Sequence, residues 1–440
     1  MNFSGGKLGA WAAAALATAL LVCAGVASLG AAVDRAAPTR PSPGLAQAAP
    51  RLAETRALWV LRTSLTTPES IATLVRAARD HGFNTLLVQV RGRGDAYFSG
   101  GIEPRPPELL RQPESFDPLA TVLQTAHAAG LRVHAWVNVG LISSAAELPA
   151  SREHVVYRHP AWLMVPRDIA QELARIEPES PAYAGKLARW TRTQPGVEGL
   201  YLSPASPESI DYTEAIVRDL ARRYAVDGVH FDYARYPNDR FDYSRGAILE
   251  FRSAVRAGLS EARRRGLDAD ERTDLFAYPD ALPEEWRSFR VARMTALVTR
   301  LHAVVKTERP QALVTVAAGA DMREAYDRRL QDWRGWLDAG LVDAICPMAY
   351  TVEPARFAEQ IAAARAVAGA SAVWAGIGAY RLSPKETIDN IQTARRLGAS
   401  GVILFSYDSL TDPRQTTPDY LSLVGRGAFA AAPAAASGSH

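Results

Sequence analysis

The chain has 440 residues, 48% of them hydrophobic and 22% charged, which excludes a disordered protein and supplies apolar material for one large core. Its formal net charge is only +3 and its basic residues, nearly all arginine, are scattered along the chain, so no nucleic-acid partner is expected.

The first 34 residues carry a single Lys7 and then no charge until Asp34, the layout of an export signal or, uncleaved, of an N-terminal membrane anchor through residues 8–33. Residues 35–53 are rich in Pro and Ala and read as a linker, with one plausible cleavage site at Ala46-Gln47-Ala48. The mature protein is therefore expected outside the cytoplasm: periplasmic, anchored in the envelope or secreted. Loss of this segment would leave Cys346 as the sole cysteine, allowing neither an internal disulfide nor a cysteine metal site.

Short runs rich in Val, Ile and Leu follow at 57–62, 85–91, 132–139, 228–233, 313–319, 343–350, 372–380 and 401–408, each a strand candidate. Amphipathic stretches alternate with them. "PESIATLVRAARDHGFN" and "DPLATVLQTAHAAGLR" both begin with Pro in or beside the first turn and end at a Gly suited to the C′ position. Such repeated helix-loop-strand units predict a (β/α)₈ TIM barrel over residues 54–425, with long loops after strands 3 and 4 (140–207 and 234–283) and an unpacked tail at 426–440. A doubly wound open sheet is the alternative, but no glycine-rich phosphate turn follows the first strand.

In a barrel the chemistry sits on the loops after the carboxyl ends of the strands. There lie Arg62, Gln89 with Arg91, Asn138, Asp232 with Arg235, Met348 with Tyr350, Tyr380, and Ser406 with Asp408. On "GVHFDY", alternation turns Val229 and Phe231 toward the helices and His230 and Asp232 into the barrel, with Asp232 in the uppermost layer. The alternative is a structural ion pair of Asp232 with Arg235 or Arg91. Asp227 and Asp343, at strand starts, read as structural caps.

A rim carboxylate among arginines and aromatics suits glycoside hydrolysis, in which one carboxylate attacks or activates water and a second, as acid, protonates the leaving oxygen. Asp232 is the candidate nucleophile or base, held ionised by Arg91 and Arg235. Candidates for the acid rank as Asp95, Glu285, Glu103 and Asp408, although Glu284 and Glu285 equally suit the first turn of a helix. Trp136, Tyr97, Trp162, Tyr236, Tyr350 and Tyr380 could stack on sugar rings. No H-E-x-x-H or first-strand H-x-H is present, so no metal or other cofactor is expected; His134 and His230 read as core histidines. The absence of a G-x-S-x-G elbow argues against a serine hydrolase.

The segments "RALWV", "NTLLVQVRGRGDAYF", "GIEP", "LRVHAWVNV", "YLSPASPESIDYTEAIVRDLARRYAVDGVHFDYARYP", "DAICPMAY" and "GVILFSYDSL" resemble the glycosyl-hydrolase-like family 10, exported bacterial (β/α)₈ barrels. The resemblance runs from about Arg56 to Leu410. It implies a carbohydrate-active hydrolase acting on a cell-wall or other extracellular glycan, and gives weight to Arg91, Asp95, Asn138, His230, Asp232, Arg235 and Tyr350. Many relatives carry two successive aspartates where this chain has Asp232 and Tyr233. The competing reading is a non-catalytic, envelope-tethered barrel that binds glycan.

Overall fold

The computed structural model describes residues 54–414 and 417–430. The expected export segment and linker lie outside these residues. Eight parallel strands close into a barrel in chain order: β1 (Thr55–Val60), β2 (Thr85–Arg91), β3 (Arg132–Asn138), β4 (Gly228–Asp232), β5 (Leu313–Ala318), β6 (Ala344–Ala349), β7 (Ala372–Ile377) and β8 (Gly401–Leu404), with β8 pairing β1. The expected (β/α)₈ architecture is what forms.

The strands end earlier than their apolar runs, because the last residues of those runs leave the ladder to build the rim. At β4 the exit is Tyr233, whose φ of +51° lies in the left-handed region and costs a side-chain-bearing residue some strain. The helices start and stop where local chemistry directs. Thr67 caps the helix Pro68–Asp80 by accepting from the Ser70 amide, and Asp117 caps Pro118–Ala128 by accepting from the Ala120 amide. Beyond each helix the chain turns at Gly82 (φ +80°) and Gly130 (φ +74°), a conformation glycine adopts without a Cβ penalty.

Apolar residues form three sets. Alternate strand residues such as Val88, Val133, Val229 and Phe231 pack outward against the helices. The barrel interior is filled by Ala57, Trp59, Leu87, Trp136, Cys346, Trp374 and Ile403. The two long loops fold on each other into a third cluster that includes Ile142, Val156, Leu163, Leu187, Phe251 and Trp286. Asp242, fully buried, joins those loops: its Oδ1 accepts from the Val165 and Ser244 amides, both at 2.8 Å. At the amino ends of the strands, Asp227 accepts from the Val133 amide and pairs with His127, while Asp343 accepts from the Val314 amide and pairs with Lys306, as structural caps should.

The folded part runs past its expected boundary at 425. Gly425–Phe429 forms a π-helical turn, and Phe429 packs edge-on against Phe83 at 5.1 Å between centroids. An apolar ring packed on Phe83 and beneath the Arg56 guanidinium outweighs the low-complexity look of the alanine-rich sequence around it. Among the described residues, no helix is long and apolar enough to cross a membrane.

Candidate active site

A cavity of about 430 Å³ opens at the carboxyl end of the barrel. Trp59, Trp136, Tyr233, Tyr350 and Phe405 line it, together with Arg62, Gln89, Arg93, Asn138, Asp232 and Arg235. Among the described residues on its wall, Asp232 is the one carboxylate.

Asp232 ends β4 opposite Asn138, the last residue of β3. Its Oδ1 accepts from the Tyr233 amide at 2.7 Å, a contact created by the left-handed turn of that residue. Only 8% of Asp232 is exposed, and burial lifts its carboxyl from the ordinary 3.8 to about 6, with Arg235 and the Tyr233 amide pulling the other way. The expectation that Arg91 and Arg235 pull this carboxyl down is therefore corrected in direction: desolvation exceeds the attraction of Arg235, and Arg91 is engaged by Glu103. The Trp136 indole lies near enough to favour the carboxylate, yet its N–H makes no hydrogen bond.

Beneath the cavity His230 is fully buried. Its Nε2 accepts from the Trp59 indole at 3.1 Å, so the proton sits on Nδ1, which donates to Thr315 Oγ1 at 2.9 Å. Burial, and then His134, push its pKa well down. His230 is a neutral side chain in the barrel interior and does not line the cavity, contrary to its assignment as a substrate contact. His134, pushed down to about 3 by burial and by Arg132, packs against Gly228.

Arg91 is likewise corrected. Fully buried, it forks onto Glu103 through Nε and Nη2, each at 2.7 Å, and its Nη1 donates to the carbonyls of Asn138 and Val139. Glu103 also accepts from the Tyr212 hydroxyl at 3.1 Å. Both charges are consumed in holding the turn after β2 to the end of β3, which removes Arg91 from the substrate contacts and Glu103 from the candidate acids.

The remaining acids go elsewhere too. Asp95 Oδ1 accepts from the Gly92 and Arg93 amides at 3.2 and 2.9 Å, stapling its own turn, and Asp95 lines a neighbouring cavity. Glu285 is exposed in the first turn of the helix Pro283–Glu308, away from the wall of this cavity. Asp408 accepts from the Leu61 amide at 2.6 Å and from the Thr63 and Ser64 hydroxyls.

Of the expected aromatic contacts, Trp136 and Tyr350 line the cavity. Tyr380 stands beside it, 45% exposed and edge-on to Tyr350. Tyr97 and Tyr236 are buried in the outer core, with the Tyr236 hydroxyl donating to the Arg290 carbonyl at 3.1 Å. Neither lines the cavity, because both were placed from their nearness in sequence to the rim and not from which way they turn. Asn138 lines the wall in a polar chain: Arg62 donates to Gln89 at 2.8 Å, Gln89 approaches Asn138 at 3.5 Å, and Asn138 donates to the Gly92 carbonyl at 2.7 Å.

Sequence reasoning missed Glu198. Arg235 donates to it at 2.7 Å, and so does the Tyr201 hydroxyl. Against the upward push of burial, Arg235 and Tyr201 hold Glu198 below the usual carboxylate range. Arg235 in turn lies over the Tyr233 ring at 4.7 Å. No periodicity in "VEGLY" marks Glu198; the structure places it through Gly199, where a Cβ would lie 1.7 Å from the Ser143 carbonyl oxygen, so that only glycine lets this strip pair with the segment around Leu141. Gly199→Ala is expected to lower stability by roughly 2 kcal/mol or more, checked by the urea midpoint.

Among the described residues no group of three His, Cys, Asp or Glu side chains is placed to hold a metal ion. The model of the family described as "Glycosyl hydrolase-like 10" matches residues 54–380. The glycosyl hydrolase DigH of Escherichia coli K12 is 26% identical over 290 residues, 61% of this chain and 55% of that protein. YngK of Bacillus subtilis, also a glycosyl hydrolase, is 23% identical over 289 residues, 61% of this chain and 46% of that protein. The match thus spans about half the length of these relatives. The glycoside hydrolase domain of PgaB (BpsB) from Bordetella bronchiseptica superposes with a TM-score of 0.59 over 86% of this chain and all of that one, at 16% identity, a likeness of fold.

Proposed function

The chain belongs to the glycosyl hydrolase-like 10 family, and from that premise we propose that it is an exported glycoside hydrolase, acting on a bacterial cell-wall or other extracellular polysaccharide, in which Asp232 transfers the proton. The observation that carries the proposal is a buried carboxyl, raised to about 6, on the wall of an aromatic-lined cavity at the catalytic end of the barrel. A carboxyl with that pKa is largely protonated below about 6, where it can give a proton to the leaving oxygen, and once ionised it can take one back from water. The roles are thus reversed relative to the sequence expectation, since Asp232 suits the acid. Glu198, pulled the opposite way, acts as the anionic partner through Arg235 and is a positioning residue. Trp136, Tyr350 and Phe405 offer faces for sugar rings. Export rests on the uncharged run between Lys7 and Asp34.

One observation favours a second reading. None of the ranked partner acids lies on the cavity wall, which is what a glycan-binding barrel without a complete carboxylate pair would have. A single experiment separates the two. Reducing-end release from a panel of bacterial glycans, intact and peptide-stripped cell wall included, is followed over roughly pH 4 to 8. For an acid, kcat/KM is highest below the pKa and falls as pH rises through about 6. A profile that rises over the same range would make Asp232 the base or nucleophile. Binding without release at any pH would make the protein a glycan receptor.

A further inference from the structure

The cavity wall carries a second feature that proton transfer does not use. Arg62 and Arg93 both line the 430 Å³ cavity and also the adjoining one of about 300 Å³, so they stand at the join of the two. Each is placed by its surroundings. The backbone of Arg93 is clamped from both sides: its amide donates to Asp95 at 2.9 Å, and its carbonyl accepts from His154 Nε2 at 2.7 Å. Because His154 Nδ1 accepts from the Val156 amide, its proton is on Nε2, as that second contact requires. Gly94, with φ +68° and His154 2.5 Å from where a Cβ would be, allows the clamp to close. Arg62 passes close against Gly92, where a Cβ would come within 2.8 Å of its Nη1.

The guanidiniums themselves are underused. Arg62 spends one N–H on the neutral Gln89, and among the described residues no hydrogen bond or ion pair engages the guanidinium of Arg93. Partial burial and the nearby Arg62 charge lower the pKa of Arg93, while Asp95 and Glu108, which line the second cavity together with Glu147 and Arg105, offset this. Asp95 has already given an oxygen to two amides. On the side of the main cavity three arginines, Arg62, Arg93 and Arg235, face the single carboxylate Asp232. Two adjacent cations held in place without a dedicated counter-ion in a ligand cavity are a cost unless the ligand supplies the anion.

We infer that Arg62 and Arg93 form a subsite for a carboxylate carried by the glycan, so that the protein selects an acidic polysaccharide over its neutral counterpart. Planar guanidiniums fit a carboxylate through paired N–H bonds, and the pair sits where the main cavity runs into its neighbour, the place a neighbouring sugar of a polymer would occupy. The inference rests on the glycan reading of the site. It also accounts for Asp95, whose work is to aim Arg93.

The test uses three acidic polysaccharides (peptide-stripped cell-wall glycan, polygalacturonate and alginate), each beside a sample whose carboxyls have been reduced to primary alcohols. Binding to the protein is measured by calorimetry, and cleavage by reducing ends. At least one acidic polymer is expected to bind about tenfold or more tighter than its reduced form, the scale of a charge-assisted hydrogen bond. In Arg62→Gln and Arg93→Gln, which keep polar side chains and lose the charge, that ratio should fall toward one, with circular dichroism verifying the fold. Equal binding of all three pairs, or a ratio unmoved in both variants, overturns the inference. A preference in binding with no cleavage of any polymer leaves the subsite standing and rejects the hydrolase reading instead.

Discussion

Asp232→Asn is expected to abolish glycan hydrolysis and at the same time to make the protein more stable at neutral pH. The loss of activity should be about 10²–10⁴-fold, the usual contribution of a positioned proton-transfer group. The gain in stability follows from burial. The carboxyl has a pKa of about 6 when folded against the ordinary 3.8, roughly two units, so ionising it in the folded state costs about 3 kcal/mol as an upper figure. The raised folded value sets the sign: the favourable contribution is complete below 3.8 and is lost as pH climbs through about 6. The side-chain amide that replaces the carboxyl would carry no such cost, and its oxygen can still accept from the Tyr233 amide. Denaturation of the two proteins should give similar midpoints near pH 4 and the variant the higher one at pH 7. Were the wild type the more stable at pH 7, the carboxylate would be better solvated or paired than its surroundings imply, and its assignment as the acid would go with it.

The barrel was legible because its signals are local and repeated: eight short apolar runs, Pro at helix starts, Gly at helix ends. Alternation along β4 also placed His230 and Asp232 inside and Phe231 outside, since a period of two holds wherever a strand stays extended. The same rule failed one residue later. Continued alternation would turn Tyr233 away from the barrel axis, but its left-handed conformation carries it onto the cavity wall, and nothing in "FDYAR" announces that turn.

The charged residues were harder to read, for a physical reason. An arginine at the end of a strand looks the same whether its partner is a ligand or a glutamate brought back by the chain. Arg91 and Glu103 sit in adjacent motifs and neutralise each other, whereas Arg93, two residues from Arg91, has no such partner and faces the cavity. Glu198 stands just outside the stretch that begins at Tyr201, in the long loop after β3, where no periodicity points to its place.

The Arg91–Glu103 pair gives the largest expected loss of stability in the molecule. Their side chains are 0% and 1% exposed, so removal of either partner strands a charge away from water. Glu103→Leu should therefore cost about 3–5 kcal/mol, and Arg91→Met a similar amount. Replacing both, Arg91→Met with Glu103→Leu, should cost clearly less than the sum, because no charge is left to be solvated. Urea denaturation of the four proteins completes the cycle. Glycan affinity measured on whichever variants remain folded then decides the role of Arg91. If it is structural, affinity per folded molecule changes only as the turn after β2 loosens, and the double replacement restores part of both affinity and stability. If instead Arg91→Met leaves stability intact while affinity collapses, Arg91 is a ligand contact after all, and the fork onto Glu103 does not persist when glycan is bound.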